Sequence, residues 1–286
     1  MISAIQLPST SMHPQDVQTR DLFRESHLDV QGMSLGNWFL LMAYLPFGCV
    51  LAALRLILGC SLAFVIPPFW RQRVVQVVAG LIVRMPSRIE MPDKGCCLIS
   101  NHMSYLDSWV LAAACSPRRE FATVVWHGVP GFVKRVARPV IQVFQTGRNR
   151  DFLKQLRSQL KQRNVIIFPE GSITDGTTGL LAFERSVFAL KYPVHAVAIR
   201  YQRPLPFLQP KALSAHLVLQ TAIELFQPWT VVELIPLGEL TRLEGEAPDD
   251  FAARAERCLA DALGLATTPW TRHDRDRLIF GNRSTD

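Results

Sequence analysis

Two short segments of this 286-residue chain carry side chains whose types and spacing could do chemistry. The first reads Asn101-His102-Met103-Ser104-Tyr105-Leu106-Asp107. A carboxylate that accepts from one imidazole nitrogen leaves the other as a proton acceptor, so His102 can act as a general base oriented by Asp107. Moving an acyl group from a thioester to an alcohol needs such a base, a group to orient it, and donors for the developing oxyanion. The second segment is Phe168-Pro169-Glu170-Gly171-Ser172. Gly171 lets backbone come close to a ligand, and neighbouring N–H groups can face a phosphate or an oxyanion. Taken singly, each has a plain alternative: a structural histidine for the first and an ordinary turn for the second.

Both segments need a scaffold that opens strands into loops at one edge. Cys96 to Ser100 reads as a buried strand, with helix resuming at Tyr105 and continuing over Trp109 to Cys115. Val165 to Phe168 is a β-branched run of the parallel-strand kind and leads straight into the Glu-Gly turn. Phe121 to Trp126, Val194 to Tyr201 and Val231 to Leu237 are further strand patterns. Asp151 to Arg163 has Phe152, Leu153, Leu156 and Leu160 at helical spacing. Phe251, Ala255, Cys258, Leu259, Ala262 and Leu263 share one face of a closing helix. Strands alternating with helices predict an α/β fold, with a largely parallel central sheet flanked by helices.

Ahead of that domain lies an apolar block. No residue from Gly32 to Leu54 is charged, and apolar character resumes after Arg55 as far as Trp70. A membrane-crossing helix takes roughly 20 apolar residues, so the length suffices. Pro46 removes a helix bond and Arg55 interrupts the run, which predicts two shorter helices forming a membrane hairpin with its break near Pro46. Trp38, Phe39, Phe69 and Trp70 stand near the ends, where interfacial anchors belong. The expected layout is a polar tail over 1–33, a membrane-anchoring hairpin over 34–70, the α/β domain over 71–270 and a charged, frayed tail over 271–286. No basic start followed by an apolar core suggests a cleaved signal peptide.

Composition fits this layout. Hydrophobic residues make up 49% of the chain and mean hydropathy is +0.14, which points to a local apolar block. The net charge of +7 suits anionic lipid, phosphorylated substrates or nucleic acid. Lys154, Arg157, Lys161 and Arg163 form a basic helical series with few interleaved aromatics. That pattern reads as a membrane-facing or coenzyme-facing surface, and no nucleic-acid partner is expected. The six cysteines lack C-x-x-C pairing and are read as buried, reduced thiols. His127 and His195 have no carboxylate at useful spacing and are read as structural; no metal is expected.

Together the two segments resemble the glycerolipid acyltransferase superfamily, which contains 1-acylglycerol-3-phosphate and lysophospholipid acyltransferases. Its N-H-x-x-x-x-D block is matched by Asn101, His102 and Asp107. Its F-P-E-G-[ST] block is matched by Phe168, Pro169, Glu170, Gly171 and Ser172, and the separation of the two blocks agrees as well. The resemblance implies His102 as general base and Asp107 as its orienter, with Asn101, Phe168, Pro169, Glu170, Gly171 and Ser172 near the substrate, Glu170 and Gly171 by the acceptor's glycerol phosphate region. It implies acyl-CoA as co-substrate, no resident cofactor, a lysophospholipid acceptor and a lipid membrane as partner. The Phe168 to Phe183 stretch is similar to the lysophosphatidylcholine acyltransferase branch. Leu22 to His27, Leu54 to Gly59 and Ile199 to Pro204 are similar to the ancient ubiquitous protein branch. That relative implies an endoplasmic reticulum or lipid-droplet membrane in a eukaryote, or the cytoplasmic membrane in a bacterium. It also brings an alternative function, a non-catalytic membrane adaptor that keeps the fold. A soluble thioester hydrolase finds no G-x-S-x-G elbow here.

The chain departs from the family pattern at three places. Ile173 stands where phosphatidate-forming enzymes commonly carry Arg, a bidentate phosphate contact, which shifts the expected acceptor toward a lysophospholipid with a head group. The second block is loosely matched around Phe144, leaving Arg148 or Arg150 as the candidate phosphate contact. The fourth block lacks its proline at Val194-His195-Ala196-Val197.

Overall fold

The computed structural model describes residues 22, 28, 32–66, 68–87, 89–115, 121–125, 141–145, 149–205, 207–209 and 217–280. Seven strands form the main sheet: β1 (Leu81–Arg84), β2 (Cys97–Ile99), β3 (Phe121–Val125), β4 (Ile141–Gln145), β5 (Asn164–Ile167), β7 (Val194–Gln202) and β8 (Thr230–Leu240). Their spatial order is β1-β8-β7-β2-β5-β3-β4, and every pairing is parallel except β7 with β8. A small parallel pair, β6 (Gly179–Leu180) with β9 (Ala266–Thr267), lies apart from it. The expected largely parallel α/β sheet is therefore present, with one antiparallel strand pair within it.

Period-2 alternation explains why β2 and β5 read as continuous apolar runs. Cys97, Ile99, Val165 and Ile167 point to one side of the sheet. There they meet α4 (Asn149–Leu160) through Phe152, Leu156 and Leu160, and α6 (Pro248–Leu263) through Phe251, Ala255 and Leu259. Leu98 and Ile166 point to the other side, against Val110 and Leu111 of α3 (Asp107–Cys115). Both faces are buried, which holds β2 and β5 in register. The α6 ends follow from its sequence: Pro248 and two acids in the first turn, and Gly264 at φ 69° beyond the last.

The apolar block differs from the expectation. α1 (Leu35–Val65) is a single 31-residue helix that runs through Pro46 without a break. Tertiary ties on both sides of the proline hold its axis against α5 (Leu217–Phe226). The Tyr44 hydroxyl donates to Phe226 O at 2.9 Å, and Gly48 lies so close to the Phe226 ring that a Cβ would sit 2.3 Å from it. Arg55, which looked like an interruption, donates to the carbonyls of Leu225 (2.8 Å), Gln227 (2.5 Å) and Pro228 (2.8 Å). Those carbonyls end α5 and need donors, and a guanidinium supplies them. α1 stops instead at Ile66, extended at ψ 136°, the conformation that the following Pro67 favours. α2 (Pro68–Val78) then packs back so that Val78 lies beside Gly59. The turn of the apolar unit is thus at Ile66, and the unit reaches Val78.

Both expected tails are partly built in. Leu22 is fully buried against Leu181, and its carbonyl accepts from Asp175 N at 3.1 Å; Leu28 bridges to Leu208. At the other end Arg272–Phe280 is a helix, α7, opened by Asp274, which accepts from the Thr271 N–H and hydroxyl at 2.8 Å each. The cysteines are free, but Cys49 is exposed on α1, and Cys60 and Cys258 are half-buried; Cys96, Cys97 and Cys115 are the interior thiols.

Candidate active site

The candidate site lies at the carboxyl ends of β2, β5 and β7, where ligands bind in open α/β sheets. Where β2 ends, Asn101 takes over its role. Its Oδ1 accepts from Ile199 N at 2.8 Å and its Nδ2 donates to Ile199 O at 2.9 Å, so its side chain extends the ladder to β7. Asn101 is fully buried. It was expected near substrate; its amide is instead committed to β7, and it positions the next residue.

His102 Nδ1 lies 2.9 Å from Asp107 Oδ2. That same oxygen accepts from Met103 N at 2.7 Å and Ser104 N at 2.8 Å, while Oδ1 accepts from the Tyr201 hydroxyl at 2.6 Å. Asp107 opens α3, so the positive end of the helix faces its charge. A carboxylate with all its donors fixed has one orientation, and it selects the Nδ1–H tautomer of His102. The lone pair is then on Nε2, which has no hydrogen-bond partner among the described residues. The ring keeps 18% of its side chain exposed. Phe168 stacks on it with centroids 4.0 Å apart and planes at 10°. The imidazole is thus held on one face by an aromatic ring and on one edge by a carboxylate, with the Nε2 edge open.

The two segments are joined through the backbone of His102. Its N–H donates to Glu170 Oε1 at 2.8 Å, and its carbonyl accepts from Thr174 N at 3.0 Å. Glu170 was expected to face the acceptor. It is instead fully buried, its Oε2 accepting from Leu181 N at 3.1 Å, so it ties the two loops together. Burial pushes its carboxyl up to about 8 against the pull of those two N–H donors, with Glu256 and Asp107 adding repulsion. Pro169 is buried with its carbonyl accepting from Glu184 N at 2.9 Å, and Ser172 is buried as well. Gly171 has φ +66°, and a Cβ there would meet Arg272 Cδ of α7 at 3.2 Å and Glu184 Oε1 at 3.3 Å. Arg272 and Glu184 are themselves paired at 3.8 Å. The space beside Gly171 is therefore filled by the chain's own C-terminal helix.

Arg148 and His127 lie outside the described residues, as does the side chain of Arg150. His195 does have a carboxylate, across the sheet: Glu239 of β8, at 3.5 Å. Burial lowers the histidine's proton affinity, and the pair lies at the opposite end of β7 from Tyr201. Three side chains near His102 and Asp107 had no assigned role. Tyr201 is one, and behind it Arg203 stands 4.6 Å from the Tyr201 ring centroid and 3.7 Å from Glu224 of α5. The available signal was position: Tyr201 ends β7 at the same sheet edge as His102.

The Acyltransferase family model matches residues 82–200, which include both segments. The lipid droplet-regulating VLDL assembly factor AUP1 of Xenopus laevis is 31% identical over 257 residues, covering 85% of this chain and 62% of the relative. Human glycerol-3-phosphate acyltransferase 3 is 27% identical over 192 residues, covering 63% of this chain and 42% of that protein. The chain thus spans less than two thirds of the length of these relatives. The crystal structure of the 1-acyl-sn-glycerophosphate (LPA) acyltransferase PlsC from Thermotoga maritima shares the fold. Its TM-score is 0.50 at 13% identity, over 77% of this chain and 96% of that one. Residues 82–200 thus match the Acyltransferase family, and the two motif segments and the relatives support the glycerolipid acyltransferase superfamily.

Proposed function

We propose that the chain is a membrane-associated, acyl-CoA-dependent O-acyltransferase that acylates a hydroxyl of a lysophospholipid. The observation that carries this reading is the His102–Asp107 pair, with its Nε2 edge open and its backbone locked between two loops. In this reaction Nε2 takes the hydroxyl proton as the acceptor oxygen attacks the thioester carbonyl. The C–O bond forms, the C–S bond breaks, and the imidazolium returns the proton to the departing CoA thiolate. Asp107 keeps the ring in the base-competent tautomer and stabilises the imidazolium while the proton is held. Ile173, in place of a phosphate-binding arginine, favours an acceptor whose phosphate carries a head group.

The membrane supports this substrate class. α1 is long and apolar enough to cross a bilayer, and its best window is only 11% buried. Phe39, Met42, Phe47, Val50 and Ile57 are more than half exposed, as are Val218 of α5 and Trp229 after it. An exposed apolar surface of that extent fits lipid. We read 34–78 as an anchor lying in one leaflet of an endoplasmic reticulum or lipid-droplet membrane, since α1 is docked along α5.

A second reading has its own support: the relatives named lipid droplet-regulating VLDL assembly factor suggest a lipid-droplet adaptor that keeps the fold without turnover. The test is an acyl-CoA assay of purified protein on a panel of lysophospholipids beside His102→Ala. Acylation of at least one lysolipid that His102→Ala abolishes supports the enzyme; no acylation above the variant's level assigns the adaptor.

A further inference from the structure

We infer that Tyr201 is a positioning residue of the catalytic array, acting on His102 through Asp107; this rests on the acyl-transfer reading above. The hydroxyl donates to Asp107 Oδ1 at 2.6 Å, and it is the only donor to that oxygen among the described residues. The other three donors, His102 Nδ1, Met103 N and Ser104 N, all converge on Oδ2. Three donors pin Oδ2, and the short bond from Tyr201 holds Oδ1, so both oxygens of the carboxylate that orients His102 are fixed.

The surroundings of Tyr201 tune this donor. Arg203 faces the ring at 4.6 Å and is itself paired with Glu224, whose opposing charge outweighs it at the phenol, so the hydroxyl stays a neutral donor. Arg203 and Glu224 have side chains 4% and 7% exposed, so the cation is locked in the interior behind the ring. Burial and the adjoining Asp107 hold the phenol's ionisation well above its ordinary range, so it donates across the working pH range. A lone tyrosine hydroxyl could be satisfied by any backbone carbonyl. Here it is directed at the carboxylate that orients the base, and a buried cation backs it.

The charged and titratable groups facing the pair are Asp107 itself, Tyr201 and Arg203 from β7 and its end, Glu224 from α5, and Glu170 from the second loop. The hydroxyl draws charge from Asp107. Without it the carboxylate would hold a proton on the imidazole more strongly, and the base would be blocked to higher pH. Tyr201 therefore fixes the carboxylate and tempers its hold on the imidazole proton.

The test is Tyr201→Phe in the full chain, in lipid nanodiscs. Expected are a fall of about tenfold in kcat, the scale of one charge-assisted hydrogen bond, and unchanged KM for acyl-CoA and lysolipid. The acid limb of the pH–rate profile moves to higher pH. An NMR titration of 15N-labelled histidine, with the His102 signal identified by its loss in His102→Ala, moves the same way. In an Asp107→Asn background, Tyr201→Phe adds no further loss, because its effect runs through that carboxylate. An unmoved His102 titration overturns the proposal whether or not the protein turns over. If the titration moves but wild type acylates no lysolipid, the positioning role stands and the acyl-transfer reading falls. A loss of kcat that is the same size in the Asp107→Asn background assigns Tyr201 to packing and overturns the proposal.

Discussion

Replacing Glu170 by glutamine separates its structural role from its charge. The carboxyl is fully buried, takes one N–H on each oxygen, and is pushed up to about 8. Its folded value stands above the ordinary carboxylate value near 4.5. The stability it contributes is therefore present at acid pH and is lost as pH rises toward 8, because folding must then bury a charge. From ~pH 5 to ~pH 8 that loss amounts to about 3–4 kcal/mol, which lowers the melting temperature by roughly 5–10 °C for a chain of this size. Glutamine has no charge to bury, so Glu170→Gln removes this part of the pH dependence. Its amide NH2 must, however, face one of the two N–H donors, which leaves a buried backbone N–H without an acceptor at a cost of about 1–3 kcal/mol. The variant should be less stable than wild type at ~pH 5 and match or exceed it at ~pH 8. Circular dichroism melts of both proteins across that range measure the crossing. Comparing the two cancels titrating groups that do not interact with Glu170, such as His195. If the melting temperatures of the two proteins run parallel with pH, burial does not govern this carboxyl and the reasoning fails.

Two further substitutions probe the frame around the site. Arg55→Leu removes three bonds to the end of α5 while raising the hydropathy of α1, so local propensity and tertiary docking make opposite predictions. Loss of those charge-assisted bonds should destabilise by about 2–4 kcal/mol and expose the 217–230 region to limited proteolysis, with membrane retention unchanged in carbonate extraction. Gly171→Ala places a side chain at φ +66° and 3.2 Å from Arg272 Cδ. It should cost about 1–2 kcal/mol in urea unfolding and loosen α7 in hydrogen exchange, and equal exchange in both proteins would contradict the contact.

The His102–Asp107 pair was legible because its residues are local. Asn101 to Asp107 and Phe168 to Ser172 are contiguous segments, each at a strand end, and the strands themselves show as apolar runs. What the sequence could not reveal was direction. Glu170 and Asn101 are in the right segments, but a motif does not say whether a side chain faces substrate or the neighbouring strand. Both turn inward, because a backbone that leaves a sheet has N–H and C=O groups to satisfy. Tyr201, Arg203 and Arg272 were hidden for a different reason. Tyr201 stands 94 residues from Asp107, Arg272 lies farther still from Gly171, and Arg203 reaches the site only through the Tyr201 ring, separations that the topology closes. Pro46 shows the converse error, in which a strong local rule gives way to docking at Tyr44, Gly48 and Arg55.

The turn that ends α5 connects these two levels. Glu224 pairs with Arg203 behind Tyr201, while the next residues, Leu225, Gln227 and Pro228, take the bonds of Arg55. Gln227 is fully buried and clasps Leu205 and Leu208 from both its amide atoms. One five-residue stretch, 224–228, thus holds the apolar helix, the loop after β7 and the cation beneath the tyrosine. A helix that merely tethered the domain would need none of these bonds, since a flexible linker tethers equally well. Rigid docking matters where height above the lipid matters. In the proposed reaction the acceptor hydroxyl would lie near the membrane surface, where a base misplaced by about 1 Å can lose about 10²-fold in rate. Fixing α1 to the strand system that carries His102, Asp107 and Tyr201 sets the depth of Nε2 relative to the bilayer once the helix is embedded.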